Sequence, residues 1–70
     1  MMNRLRNLRE DNNLTQEQCA KIAFISKKSY ERYENCLNVI PSDVLIAFCK
    51  YYNVSADYIL GLINEFRKLY

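Results

Sequence analysis

Apolar residues recur along the chain every three or four positions, which is the period of an amphipathic α-helix. Leu5 and Leu8 start this pattern in a first predicted helix over residues 3–12. The clearest stripe lies in a predicted fourth helix over residues 43–52, and it consists of Leu45, Phe48, Cys49 and Tyr52. No alternation long enough for a strand is present, so the pattern predicts an all-α fold.

Cap residues separate the second and third helices. Thr15 is a good N-cap for a helix over residues 16–23, and Gln18, three positions on, completes a capping box. Ser26 is the predicted N-cap of a third helix over residues 27–35. The two residues between these helices, Phe24 and Ile25, therefore form a tight corner.

The other helix ends carry similar signals. Ser42 and Ser55 are the predicted N-caps of the fourth and fifth helices. The pair Asn12-Asn13 can end the first helix and Asn53 the fourth, because asparagine tolerates the left-handed conformation at a helix end. Gly61 either ends the fifth helix or lies inside it. The prediction is one five-helix domain over residues 1–70, with 62–70 as a helical extension.

Composition fits this small domain and excludes several classes of site. The chain has 70 residues, half of them hydrophobic, with one Gly and one Pro, which favours helices joined by short connections. Three cysteines without CxxC spacing, and no histidine, argue against a disulfide framework, a metal site or a cofactor. Cys19 and Cys49 fall at apolar helix positions, typical of reduced thiols in the cytoplasm. No signal peptide or membrane span is expected, since every apolar run is far shorter than about 18 residues.

The distribution of charge is more informative than the net charge of +2. On a helical wheel, Lys27, Lys28 and Arg32 fall within a sector of about 140° on the third helix. Tyr30 and Tyr33 lie on the opposite side. Because Lys and Arg side chains donate to guanine O6 and N7, this face is a candidate to contact bases in the major groove of DNA.

Polar residues at both ends of this helix are candidates to contact the DNA backbone. Gln16 begins the second helix, where its amide can bind a phosphate or brace a base-contacting side chain. Ser26 stands where helix N–H groups can bind a phosphate. Asn35 and Asn38, just beyond the third helix, are further phosphate candidates.

Several motifs in order resemble the phage-repressor-like, Cro-type helix-turn-helix family. They span residues 5–61 and comprise Leu5, Leu8-Arg9, Leu14-Thr15-Gln16, Cys19-Ala20, Ile25-Ser26, Tyr30, Tyr33-Glu34-Asn35, Pro41-Ser42, Leu45, Val54-Ser55 and Asp57-Tyr58-Ile59-Leu60-Gly61. The resemblance implies a lambda-repressor-like, five-helix domain that binds double-stranded operator DNA as a dimer on a two-fold symmetric site.

The resemblance also implies roles for individual residues. Lys27, Lys28 and Arg32 match base-contacting positions, and Gln16 matches a phosphate contact. Ser29 matches a position that meets a base edge or the backbone. Arg9 and Glu34 match an ion pair that joins the first helix to the end of the recognition helix and so orients it.

Two glycines common in the family are replaced here. Phe24 stands in the corner and Cys36 follows the Glu-Asn pair. Either the corner takes another conformation, or the chain tolerates the strain of a bulky residue at positive φ. The Phe24 side chain is also a candidate to project outward as an apolar contact. Tyr30 and Tyr33 are larger than the family's usual aliphatic residues, so we expect their hydroxyls to reach solvent, backbone or phosphate.

Two functions are compatible with these residues and with the resemblance. The first is a sequence-specific DNA-binding regulator of transcription, expected to be a repressor; the second is a protein-interaction module on the same fold, such as an antitoxin or anti-repressor. An enzyme is not expected, since no histidine base or phosphate-binding glycine loop is present. Four apolar residues near the C-terminal end are candidate dimer contacts: Ile59, Leu62, Ile63 and Phe66. The alternative is that these side chains pack into the core of the monomer.

Overall fold

The computed structural model describes residues 3–62, and within them the chain forms five α-helices and no strand. The helices are α1 (Leu5–Asp11), α2 (Gln16–Ile22), α3 (Lys27–Glu34), α4 (Ser42–Tyr52) and α5 (Ala56–Ile59). The predicted all-α class and the order of the five helices are confirmed. The single-domain extent of 1–70 stays a prediction, since residues 63–70 lie outside the described part.

Side-chain caps start three of the helices as the sequence predicted. Thr15 Oγ1 accepts from the Gln18 backbone N–H at 3.1 Å, and Gln18 Oε1 accepts from the Thr15 N–H at 2.8 Å. Ser26 Oγ accepts from the Ser29 N–H at 3.1 Å, which begins α3. Ser55 caps α5 through the Tyr58 N–H. These contacts satisfy N–H groups that a helix start leaves without a backbone partner.

The predicted cap at Ser42 is wrong. Ser42 is the first residue of α4, and Pro41 occupies the N-cap position with φ −62° and ψ 152°. The proline ring holds φ near this value, and the Pro41 carbonyl accepts from the Leu45 N–H at 2.9 Å. The helix therefore begins one residue earlier, without a side-chain cap.

Each helix is followed by a residue with positive φ, one or two positions after its last residue. These residues are Asn13, Phe24, Cys36, Asn53 and Gly61. In each case the residue after it donates its backbone N–H to a helix carbonyl, and this carbonyl lies five positions before the donor. The N–O distances are 2.8–3.1 Å, and the pattern is that of the Schellman motif. Gly61 therefore follows the end of α5 rather than lying inside it. At the corner, the chain keeps the left-handed turn and places Phe24 in it at φ 56°.

The core lies where all five helices meet. Leu5 from α1, Tyr30 from α3 and Phe48 from α4 are fully buried, and the Tyr30 and Phe48 rings pack edge to face at 5.7 Å. Cys19 and Cys49 are buried free thiols, which confirms their predicted core positions. On α4, Val44 is buried whereas the predicted Leu45 is only partly buried, so the buried stripe consists of Val44, Phe48, Cys49 and Tyr52.

The expectation for the Tyr30 hydroxyl is wrong. This hydroxyl is buried and has no hydrogen-bond partner among the described residues. The ring is too deeply embedded against Phe48 for its tip to reach solvent or phosphate. Tyr33 is half-buried beside the core.

Candidate nucleic-acid interface

Helix α3 packs mainly against α2, so one of its faces is covered and the other is open. Tyr30 and Glu34 lie on the covered face and are buried. Lys27, Lys28 and Arg32 are all exposed. Lys28 and Arg32 lie on the side of α3 opposite buried Tyr30, and Lys27 lies at the start of the helix, where it lines a groove together with Glu34.

The three cations differ in their neighbours. Lys27 Nζ lies 3.8 Å from the Glu31 carboxylate one turn along the helix. The Arg32 guanidinium donates to the side-chain amide of Asn38. Lys28 forms no ion pair with any residue in the described part of the chain. Lys28 is therefore the cation that a ligand can bind without displacing an internal partner.

The other candidate residues lie around this face and make contacts within the protein. Ser26 Oγ donates to Ser29 Oγ at 3.0 Å, so the two hydroxyls are held together at the start of α3. Gln16 is half-buried and lines a groove together with Lys27. Asn35, just after α3, accepts from Arg6 Nη2 at 3.0 Å.

Arg9 on α1 and Glu34 on α3 form a two-bond ion pair. Arg9 Nη2 donates to Glu34 Oε1, and Arg9 Nε donates to Oε2, each at 3.0 Å. The Glu34 side chain is fully buried, and that of Arg9 is 17% exposed. Arg9 Nη1 also donates to the Leu14 carbonyl at 3.2 Å, so this residue bridges three segments.

Sequence reasoning missed Arg6. Its Nε donates to Glu34 Oε1 at 3.1 Å, although its side chain is 56% exposed. Arg6 precedes Arg9 by three residues, which places both guanidinium groups on one face of α1. That spacing was the signal for a second partner of Glu34.

The ion-pair network alters the pKa of its members. Burial of the Glu34 carboxyl opposes ionisation, but the hydrogen bonds from Arg9 and Arg6, together with the nearby polar group of Tyr30, outweigh it and hold the pKa at about 2. The hydrogen bond to Glu34 raises the pKa of Arg9 above its usual value. Burial, together with the nearby Glu34 carboxylate, raises the pKa of Tyr30. Glu34 is therefore ionised, and the position of α3 relative to α1 is held by charge-assisted hydrogen bonds.

The four candidate dimer residues fall into different environments. Ile59 is fully buried in the chain's own core, which favours core closure for this position. Leu62 is 60% exposed. Ile63 and Phe66 lie outside the described residues.

Other exposed apolar side chains lie elsewhere on the surface. Leu37 and Val39, in the loop between α3 and α4, are 65% and 91% exposed. Together with Ile40 and Leu60 they line a shallow groove. Phe24, at the corner before α3, is 96% exposed.

Within residues 3–62, no three or more His, Cys, Asp or Glu side chains are grouped so that they could hold a metal ion. Over the same residues, no helix has both the length and the apolar character needed to span a membrane.

The chain matches a family model described as a helix-turn-helix domain over residues 2–65. It is 45% identical over 62 residues to an uncharacterized HTH-type transcriptional regulator of Bacillus subtilis strain 168, YobD, covering 89% of this chain and 55% of the relative. It is 35% identical over 57 residues to the antitoxin PezA of Streptococcus pneumoniae serotype 4 strain TIGR4, covering 81% of this chain and 36% of that protein. The chain thus spans about half or less of each relative. No solved structure matches it.

Proposed function

The chain belongs to the helix-turn-helix family, and from that membership we propose that it binds specific sites on double-stranded DNA and regulates transcription as a repressor. In this proposal α3 lies in the major groove and α2 crosses the backbone. The family is generally non-enzymatic, and the proposed action is binding alone, with no cofactor.

The observation that carries the proposal is the exposure of Lys28 and Arg32 on the side of α3 opposite buried Tyr30, with Lys27 exposed at the start of the same helix. An α-helix with its side chains is about 10–12 Å across, and the major groove is about 12 Å wide. Helix α3 can therefore enter the groove with its cations towards the base edges while its other face stays packed in the protein.

We assign roles to the surrounding residues on the same basis. Lys27, Lys28 and Arg32 contact bases, and Lys28 is the first choice because it has no internal ion pair within the described residues. The proposed contacts to the DNA backbone are Gln16, Ser26, Ser29, Asn35 and Asn38. Arg9 and Glu34 orient α3 without touching DNA.

A two-fold symmetric operator and a homodimer complete this proposal, with Leu62, Ile63 and Phe66 as the remaining candidate contacts. A second copy would double the number of DNA contacts, which a single small module needs for useful affinity. A cytoplasmic location is also proposed, since the three free thiols are typical of a reducing compartment.

The first test selects bound duplexes from a random DNA pool with the 70-residue chain and then measures affinity against salt concentration. We expect a palindromic consensus and a steep negative slope of log affinity against log salt, because bound phosphates release counterions. Lys28→Ala should weaken binding by about 1–3 kcal/mol and relax the preference at one base pair.

Lys50→Ala is the matched control, since it removes the same charge from an exposed position on α4. It should leave the consensus unchanged. A flat salt dependence of the intact chain, or equal effects of the Lys28 and Lys50 variants, would contradict the assignment of α3 as the DNA-contacting helix.

A second candidate function is a protein-interaction module. It is favoured by the antitoxin relative and by the apolar groove formed by Leu37, Val39, Ile40 and Leu60. Leu37→Ser with Val39→Ser tests it, because these changes remove apolar contact area without touching α3. Unchanged DNA binding together with loss of regulation in cells would favour this function.

A further inference from the structure

Phe24 is the most exposed large hydrophobic residue in the described part of the chain, at 96%. It also has φ 56°, a conformation that disfavours any residue with a Cβ atom. Its side chain therefore contributes no packing to this fold, and its backbone is held in a conformation that glycine adopts more easily.

The other helix ends show that this choice of residue is not dictated by the backbone. The same left-handed turn is occupied by Asn13, Asn53 and Gly61, which are residue types that tolerate it. Cys36 has an internal contact, since its Sγ accepts from Asn3 Nδ2 at 3.5 Å. Phe24 has neither advantage, so its ring is better explained by a contact with another molecule.

The location of Phe24 indicates which molecule this is. Phe24 precedes Lys27, the first residue of α3, by three positions, so their Cα atoms are at most about 11 Å apart. The N-terminal residues of a recognition helix contact base edges, and the groove is about 12 Å wide. With α3 in the groove, the Phe24 ring lies at the rim of the same groove.

Resting on the proposed function, we propose that Phe24 is a specificity-determining residue whose ring packs against a thymine methyl group beside the bases contacted by Lys27 and Lys28. The C5-methyl of thymine is the apolar group that a base pair presents in the major groove, and phenylalanine is a suitable partner for it. The contact buries apolar surface on both molecules and involves no charge.

The test uses the 70-residue chain and the duplex selected from the random pool, with each thymine replaced in turn by deoxyuridine, which lacks only the methyl group. At one thymine the replacement should weaken binding of the unaltered protein about four-fold, as for loss of one buried methyl-sized group. Phe24→Gly should bind the two duplexes equally, and Phe24→Leu should retain part of the preference. The salt dependence of all these proteins should be the same, because no phosphate contact changes.

Cys36→Gly is the matched control, because it relieves the same backbone conformation at another helix end. Both glycine variants should resist chemical unfolding at least as well as the original protein, which excludes misfolding as the cause of a lost preference. Cys36→Gly should keep the preference for thymine.

The outcomes separate the two proposals. Salt-dependent binding with no deoxyuridine-sensitive position, or a preference that survives in Phe24→Gly, would overturn the role of Phe24 alone. A chain that binds no duplex would overturn the proposed function and this role together.

Discussion

Glu34 is a buried carboxylate held by guanidinium groups from another helix. Its side chain is fully buried, Arg9 is 17% exposed and Arg6 is 56% exposed. Burying a charge is costly unless it is paired, and the cost of losing a partner rises with the burial of the pair. The two arginines therefore contribute unequally to stability, although both donate to the same carboxylate at 3.0–3.1 Å.

Arg9→Ala should lower the free energy of unfolding by about 3 kcal/mol, because it removes a two-bond partner from a buried charge. Arg6→Ala is the matched variant and should cost about 1 kcal/mol or less, as for other exposed pairs. Urea unfolding followed by circular dichroism measures both losses. Similar losses for the two variants would show that burial does not decide the strength of these contacts.

Individual residues also mark the limit of what the sequence predicts. The family resemblance implies an Arg9–Glu34 pair, whereas the contact of Arg6 with Glu34 was not predicted, although Arg6 lies three residues before Arg9 on the same helix. The conformation of Phe24 does not follow from the sequence. A bulky residue at this corner is compatible with a different turn or with a strained residue at positive φ. The buried, unpartnered hydroxyl of Tyr30 does not follow either, since it depends on how deeply the ring enters the core of the described residues.

At the scale of the helices, local signals predicted boundaries well where two of them coincided. Thr15 with Gln18 predicted the start of α2 correctly. The start of α4 was predicted one residue late, because Pro41 and Ser42 are both acceptable near a helix start. The helical pattern does not decide which of two such neighbours takes the cap position.

Ser26→Ala should lower the free energy of unfolding by about 1 kcal/mol, because Ser26 Oγ accepts the Ser29 N–H at the start of α3. Ser42→Ala provides the control, since Ser42 is exposed and makes no cap hydrogen bond. Its effect should stay within about 0.5 kcal/mol. Thermal unfolding of the two variants under identical conditions gives the comparison, and a larger loss for Ser42→Ala would contradict the observed caps.

For the molecule as a whole, the sequence predicted the class and order of the helices because the apolar period, the caps and the stops agreed with one another. The face of α3 that is exposed followed from the same period, since Lys28 and Arg32 lie opposite Tyr30. The contacts between distant parts of the chain did not follow from this period, because spacing within one helix does not show which residue of another helix it meets. The Arg9–Glu34 pair was expected from the family resemblance alone. Glu34 on α3 accepts hydrogen bonds from arginines on α1, and these contacts exist only in the folded chain. The ionisation of Glu34 is therefore coupled to folding.

The stability of the protein should depend on pH through Glu34. The pKa of this carboxyl is lowered from 4.5 to about 2 in the folded protein, so the unfolded chain takes up the proton at a higher pH than the folded one. The resulting stabilisation is fully present above pH 4.5 and is lost as the pH falls through about 2. From the difference between the two values it amounts to about 3 kcal/mol.

Urea unfolding at intervals between pH 7 and pH 2 tests this coupling. Glu34→Gln should be less stable at pH 7, and its stability should decline less than that of the original protein as the pH falls below 4.5. Glu17→Gln removes a carboxyl from an exposed position on α2, so its curve should run parallel to that of the original protein. If Glu34→Gln also ran parallel, the acid sensitivity would belong to other carboxyls, and the ion pair between α1 and α3 would not contribute measurably to the stability of the fold.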